Sequence, residues 1–348
     1  MSTIWFGIAA VMAALYVVFD GFDFGAGVLH LIVAREDRER RQVLNAIGPF
    51  WDGNEVWLLA LGGVLFLAFP RVLGSALSGF YLAIFLVIWV LILRGISIEF
   101  RSHVEDRMWR AFWDGVFALA STLAPILFGA ALGNVIRGVP LDADGYFRLP
   151  LWTNFRVGPT PGVLDWYTVI AGVMALVAVA HHGALFLAWK TEGVVRDRSR
   201  RAAAVLAGPL ALVWIVATLA TASITPGLYA NLAARPLAWI ATLLAVAGYA
   251  VALGARTRGR DLAAFLGSAG FIVGLLAATA VCVFPTMLRS STDAALSLTS
   301  DNAASSGHAL RTGLIWWPVA LVFVVAYFSL LFHLHRGRVV TPREGEGY

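Results

Sequence analysis

Three short segments carry ionisable groups inside apolar surroundings. Asp20 and Asp23 stand in Asp20-Gly-Phe-Asp23-Phe-Gly25. Asp52 and Glu55 stand in Pro49-Phe-Trp-Asp52-Gly-Asn-Glu55-Val-Trp57, and Arg94 and Glu99 in Arg94-Gly-Ile-Ser-Ile-Glu99. Each acid pair is spaced i,i+3, so on a helix its members share a face. A charge at the centre of a bilayer costs at least ~2.5–3.5 kcal/mol on insertion scales. Four carboxyls here face one deep cation, Arg94. They cannot all stay ionised cheaply, so at least one is expected to hold a proton. That is the chemistry of a proton relay. Asp52, Glu55, Asp20 and Asp23 are the proton-pathway candidates, and Arg94 and Glu99 are read as structural buried charges. Phe50, Trp51 and Trp57 are expected to shield Asp52 from water. Plainer readings stand beside these. Asp52 in a helix's first turn can serve free backbone N–H groups. Asp20 and Asp23 can form a buried polar network with Arg94, and Glu99 can be solvated or paired with Arg101.

Nothing in the sequence holds a cofactor or metal by motif. There is no CxxC, CxxCH, P-loop or HExxH. The histidines are His30, His103, His181, His182, His308, His333 and His335. His181-His182 is the deep pair, but neighbours on a helix point about 100° apart and cannot serve one metal. Hydrogen-bonded packing is the better reading. Asp142-Ala-Asp144-Gly145 has too few ligand positions for a calcium loop and reads as a turn. Cys282, the single cysteine, excludes an intrachain disulfide and reads as a small buried hydrophobe.

The elements that carry these groups are membrane helices. The chain has 348 residues, 59% hydrophobic, with mean hydropathy +0.78. Charged residues are 14%, against about a quarter in soluble domains. That excludes a soluble enzyme and a disordered chain. It also excludes a nucleic-acid binder, despite a pI near 9.7. A spanning helix needs about 20 apolar residues. Nine stretches qualify: 4–33, 50–69, 72–97, 112–136, 163–189, 203–223, 236–255, 262–285 and 312–334. Only Phe69-Pro70-Arg71 separates the second from the third, which predicts a tight helical hairpin. Gly21 and Gly25 form a small-xxx-small pair that lets another helix come close. The first span has no basic residue before Asp20 and is not read as a cleaved signal peptide.

Arginine sets the orientation. The loops after spans one, three, five and seven, with the tail, hold eighteen Lys and Arg; the opposite loops hold seven, and Arg94 lies within a span. The positive-inside rule then places the N-terminus outside and Tyr348 in the cytoplasm. The ends of spans one and three and the start of span two share that cytoplasmic depth, which brings the acids together. Two outer loops are long, about 137–162, with Gly158-Pro159-Thr160-Pro161-Gly162, and about 286–311. The expected organisation is one transmembrane domain with bundles 1–136 and 163–334 joined by the outer loop 137–162.

At these same residues the sequence resembles subunit II of cytochrome bd-type quinol oxidases. The matching segments are Asp20-Gly-Phe-Asp-Phe-Gly-Ala-Gly27, Asn45-Ala-Ile-Gly-Pro-Phe-Trp-Asp-Gly-Asn-Glu-Val-Trp57, Phe69-Pro70, Leu77-Ser-Gly-Phe-Tyr81 and Arg94-Gly-Ile-Ser-Ile-Glu-Phe-Arg101. His182-Gly-Ala, Lys190-Thr-Glu-Gly193 and Ser290-Ser-Thr-Asp293 follow in order. The resemblance implies an all-α chain of about nine transmembrane helices, as two four-helix bundles plus one peripheral helix, in the bacterial inner membrane. It implies oxidation of membrane quinol and reduction of dioxygen to water by a heterodimer. The haems, b with d or a b-type variant, are implied to lie in the partner subunit I. This chain is then expected to bind none, and alone not to be catalytic. A structural quinone, small single-helix accessory subunits and lipid are possible associates on that resemblance. The position matching the family's proton-uptake acid is Asp52; Glu55 has no comparable role there. The competing class is a free-standing proton-coupled transporter, which would also keep buried acids and an arginine.

Overall fold

The computed structural model describes residues 1–158 and 161–340. Pro159 and Thr160 of the proline-rich outer segment, and the tail that includes Arg343 and Tyr348, lie outside the described residues. Twelve helices are present among the described residues: α1 (Ser2–Val33), α2 (Asp37–Ile47), α3 (Trp51–Ala68), α4 (Pro70–Gly79), α5 (Tyr81–Phe100), α6 (Arg107–Arg137), α7 (Trp166–Lys190), α8 (Gly193–Ile224), α9 (Pro226–Ala234), α10 (Pro236–Thr257), α11 (Asp261–Val283) and α12 (Gly307–Leu334). A short antiparallel pair, β1 (Thr286–Leu288) and β2 (Leu298–Thr299), lies in the last long loop.

Their ends follow from local chemistry. Asp106, Asp165 and Ser306 accept hydrogen bonds from the free N–H groups that begin α6, α7 and α12. Pro70, Pro226 and Pro236 open α4, α9 and α10, where a missing N–H costs nothing. Gly138, at φ +99°, ends α6 in a conformation that side-chain-bearing residues avoid.

Eight helices are long and apolar enough to cross a membrane. The α3–α4 pair, bent by 119° at Phe69-Pro70, is apolar enough when taken together, which gives up to nine crossings. The fold is therefore the polytopic all-α one expected. Two details differ. The turn between the second and third stretches is not tight: the ten-residue helix α4 fills it, and the third crossing begins at Tyr81 rather than at 72. Hydropathy could not separate α4 from its neighbours because all three are apolar. Helices α6, α8 and α12 also begin 5–10 residues before the apolar stretches, because a helix continues past the membrane into less apolar sequence.

Helix α1 is the hub. It packs on α3 and α6 to one side and on α7 and α11 to the other. Helix α5 lies on α6, α8 on α7, and α10 on α11. Helix α12 is peripheral, touching α3 and Trp5 of α1. The α1–α7 crossing is backbone on backbone. A Cβ on Gly25 would run into the Val179 carbonyl and Gly183, and one on Gly183 into Gly25 and Ala26. Phe22, Phe50, Phe186 and Phe265 fill the space beside it.

Candidate functional site

Arg94 comes from α5 and is fully buried. Its Nη1 lies 2.5 Å from Asp20 Oδ1 on α1, and its Nη2 lies 2.5 Å from Glu55 Oε1 on α3. The guanidinium stacks over the Phe24 ring at 4.3 Å. Asn54 Nδ2 donates to Asp23 Oδ2 at 2.7 Å and to the Phe19 carbonyl at 3.1 Å. Three acids and one arginine from three helices thus form one deep cluster. Asp20 Oδ2, Asp23 Oδ1 and the Tyr16 hydroxyl have no protein partner there. Three carboxyls against one guanidinium leave the cluster excess acceptors, so it is suited to take up and release protons. The Glu55 side chain is 29% exposed and brings the cluster to the flank of the molecule.

Asp52 does not join it. It is exposed, second in α3, where its charge complements the helix start. The expected aromatic shield points elsewhere. Phe50 stacks on Phe332, and Trp57 stacks on Phe19. The two acids sit three residues apart, about 60° around the helix, and the boundary of the buried face falls between them. Asp52 instead begins an outward stripe with Val56, Leu59, Gly63 and Phe66, spaced four and three residues alternately. An outward apolar stripe on a membrane helix meets lipid or a neighbouring helix.

Glu99 corrects a second expectation. It is exposed, not a buried charge, and makes no pair with Arg101. Five residues from Arg94, it projects about 140° away from the buried face.

Sequence reasoning missed the cluster that Arg101 does join. Asp114 of α6 accepts from Arg101 Nε at 2.6 Å, Arg40 at 2.9 Å and His30 Nε2 at 2.7 Å. Arg101 also reaches Asp37 at 2.8 Å, beside Arg41 and Arg110. Partial burial alone would raise the Asp37 carboxyl, but the three arginines outweigh it and hold the group below its ordinary value. Burial opposes ionisation at Glu39 too, and the backbone N–H groups of Arg35 and Glu36 with Arg198 outweigh it, again lowering the carboxyl. The signal for this face was its arginine density, which was read only as orientation. The tail returns to it: Lys190 Nζ donates to the His335 and Gly337 carbonyls at 2.5 and 3.1 Å.

Both ring nitrogens of His182 are engaged, with Ser268 Oγ at 2.6 Å and the Val18 carbonyl at 3.0 Å. A cavity of about 360 Å³ lies between α1, α3, α6, α7, α8, α9 and α11, and no histidine lines it. Its wall is almost wholly apolar, with Tyr167 and Thr221 as a hydrogen-bonded pair. Among the described residues no group of three or more His, Cys, Asp or Glu could hold a metal. Cys282 is buried, and the Asp142 carboxylate accepts from the backbone of Asp144 and Tyr146 as a turn former.

Comparison with known proteins agrees with this architecture. The family model of cytochrome bd terminal oxidase subunit II matches residues 1–335. Cytochrome bd-I ubiquinol oxidase subunit 2 of Escherichia coli K12 is 32% identical, over 94% of this chain and 91% of the relative. Cytochrome bd ubiquinol oxidase subunit 2 of Bacillus subtilis is 29% identical, over 97% of each. The bd oxidase of Geobacillus thermodenitrificans has the same fold, with a TM-score of 0.75 at 16% identity, over 96% of this chain and 98% of that one. None of these matches supports the transporter reading.

Proposed function

The chain belongs to the cytochrome bd terminal oxidase subunit II family, and from that premise we propose that its outward acid, Asp52, feeds protons to the oxygen chemistry of a partner subunit. It is subunit II of a bacterial respiratory quinol oxidase, a membrane complex that oxidises quinol and reduces dioxygen to water. The haems of that complex belong, on this reading, to subunit I. They supply the electron transfer and oxygen binding.

The carrying observation is the α3 stripe. An acid begins an otherwise apolar, helix-spaced seam on an open flank. Covering the seam with the helices of subunit I would remove Asp52 from water and place it on the joint between subunits. The arginine-rich face supports placing Asp52 on the cytoplasmic side, with the N-terminus outside. Glu55, Asp20 and Asp23 form a second proton-holding group a turn deeper, anchored by Arg94. The halves 1–136 and 163–334, joined by the outer loop 137–162, then act as a scaffold for the haem-bearing partner. Accessory single-helix subunits and lipid would cover further apolar flanks, among them α12.

The cavity beside Tyr16 is the place for a structural quinone. Its volume of about 360 Å³ and apolar wall suit an isoprenoid chain.

An affinity tag on this chain tests the reading. The chain is expected to bring down a haem-bearing subunit with quinol-dependent oxygen uptake. Recovery of a colourless chain from detergent that keeps the oxidase intact would contradict it.

A further inference from the structure

Helices α7, α8, α10 and α11 carry little acid. Their only carboxylates are Asp197 and Asp261. Asp197 is exposed. Asp261 is taken by Arg196 at 2.7 Å and Arg338 at 3.5 Å, with Arg200 at 3.7 Å. Inside the same four helices three polar side chains have atoms left over. His181 Nε2 on α7, Ser199 Oγ on α8 and Arg256 Nε on α10 are buried and have no protein partner. His181 and Ser199 are at most 1% exposed as whole residues.

Several contacts bring the three together. Arg200, next to Ser199, donates from Nη2 to the Arg256 carbonyl at 3.2 Å, which ties the first turns of α8 to the last turn of α10. Val195 and Ala203, one turn to either side of Ser199, belong to one packed core with Ala252 and Ala255 of α10. The Arg256 guanidinium is close enough to act electrostatically on the His181 ring. A helical Cβ tilts toward its own helix's N-terminus, so Arg256 leans away from the arginine-rich face and into the bundle. It leans toward the depth of His181, nine residues or about 13 Å inside the end of α7. Ser199 lies six residues, about 9 Å, inside the start of α8.

Arginine stays charged in proteins, and a buried charge without a counter-charge is costly. Arg94, Arg101 and Arg137 each meet a carboxylate. Arg256 meets none among the described residues, and its Nε is left open. A guanidinium N–H, a hydroxyl and an imidazole N–H are all donors. Water would satisfy their hydrogen bonds but would not neutralise the guanidinium. We propose that His181, Ser199 and Arg256 hold a small inorganic anion, of chloride size, inside the second bundle near its arginine-rich end. Arg256 supplies the opposite charge, and Ser199 Oγ–H and His181 Nε2–H donate to the anion. Bound there, it fastens α10, which otherwise packs chiefly on α11, to α7 and α8. His182 takes no part, since both its ring nitrogens are engaged.

The site owes nothing to Asp52 or to proton uptake, and its test reads halide rather than turnover. The oxidase, purified through a tag on this chain, is exchanged from chloride into gluconate at constant ionic strength. Ion chromatography of the denatured protein counts the halide retained. Thermal unfolding is then followed as chloride or bromide is added back. A tight site retains one halide per chain, and a weaker one gives a saturable rise of several degrees in melting temperature. Arg256→Met should abolish that binding. Arg258→Met, which removes an exposed arginine two residues away, should keep it. Ser199→Ala should weaken halide binding severalfold and leave the melting temperature in gluconate unchanged. A serine hydroxyl that bonds nothing predicts no change in halide affinity, so this variant decides the matter even if Arg256→Met fails to assemble. No halide retained, with equal melting temperatures in gluconate, chloride and bromide, would overturn the site and leave the three groups to water. Wild-type halide affinity in Ser199→Ala would overturn it as well.

Discussion

Arg94 Nη1 on α5 lies 2.5 Å from Asp20 Oδ1 on α1, with neither side chain exposed. The same guanidinium holds Glu55 of α3, so one side chain joins three helices. Removing one partner of a buried ion pair typically costs about 3–5 kcal/mol, because the other charge is left uncompensated. Arg94→Gln is therefore expected to abolish assembly of the haem-bearing complex. Arg94→Lys should recover part of it, since an ammonium lacks the planar fork that reaches both acids. Haem content of membranes measures this, and a full complement in Arg94→Gln would contradict the account.

The α1–α7 crossing gives a second expectation. Gly183→Ala puts a methyl into the backbone of Gly25 and should lower thermal stability of the complex sharply. Gly62→Ala, with nothing near its Cβ, should be neutral or gain up to about 1 kcal/mol of helix propensity. Thermal unfolding of the two variants compares them directly.

Acid sensitivity should trace to Asp37. Its folded carboxyl is held below the ordinary value by Arg101, Arg41 and Arg110. A depressed folded value means the contribution is present above the unfolded value of about 4 and is lost as pH falls through the folded one. Below about pH 4 the native complex should thus lose stability more steeply than Asp37→Asn does. Equal acid limbs in the two melting profiles would contradict this.

The deep histidines should not affect haem. His181 is buried, its Nε2 has no partner, and it lines no part of the apolar cavity. His181→Leu is expected to leave the haem absorption spectrum of the complex unchanged. Loss of one haem's absorption would place a ligand in this chain.

Much of this site was legible because charges inside apolar stretches stand out. Asp20, Asp23 and Arg94 were found that way, and Gly25 marked the close crossing. Rotation about each helix was not legible. Asp52 and Glu55 share one turn, yet one faces out and the other meets Arg94. Glu99 lay outside the buried face for the same reason. The His30–Asp114–Arg101 cluster joins α1 and α2 to the end of α5 and to α6, two stretches far apart in sequence, so no local spacing announced it. Helix α4 was hidden because its composition matches the spans around it.

Asp52 is where the account is most exposed to test. It lies at the start of an apolar seam that a partner would cover, and its role there is to accept and pass protons. Asparagine is nearly isosteric and serves a helix start well. Oxygen consumption by the Asp52→Asn complex, at saturating quinol from mildly acidic to alkaline pH, separates the two roles. The account predicts intact haem and slower turnover, with the deficit widening as pH rises and protons become scarce. Wild-type rates at every pH would contradict it, as would loss of the haems.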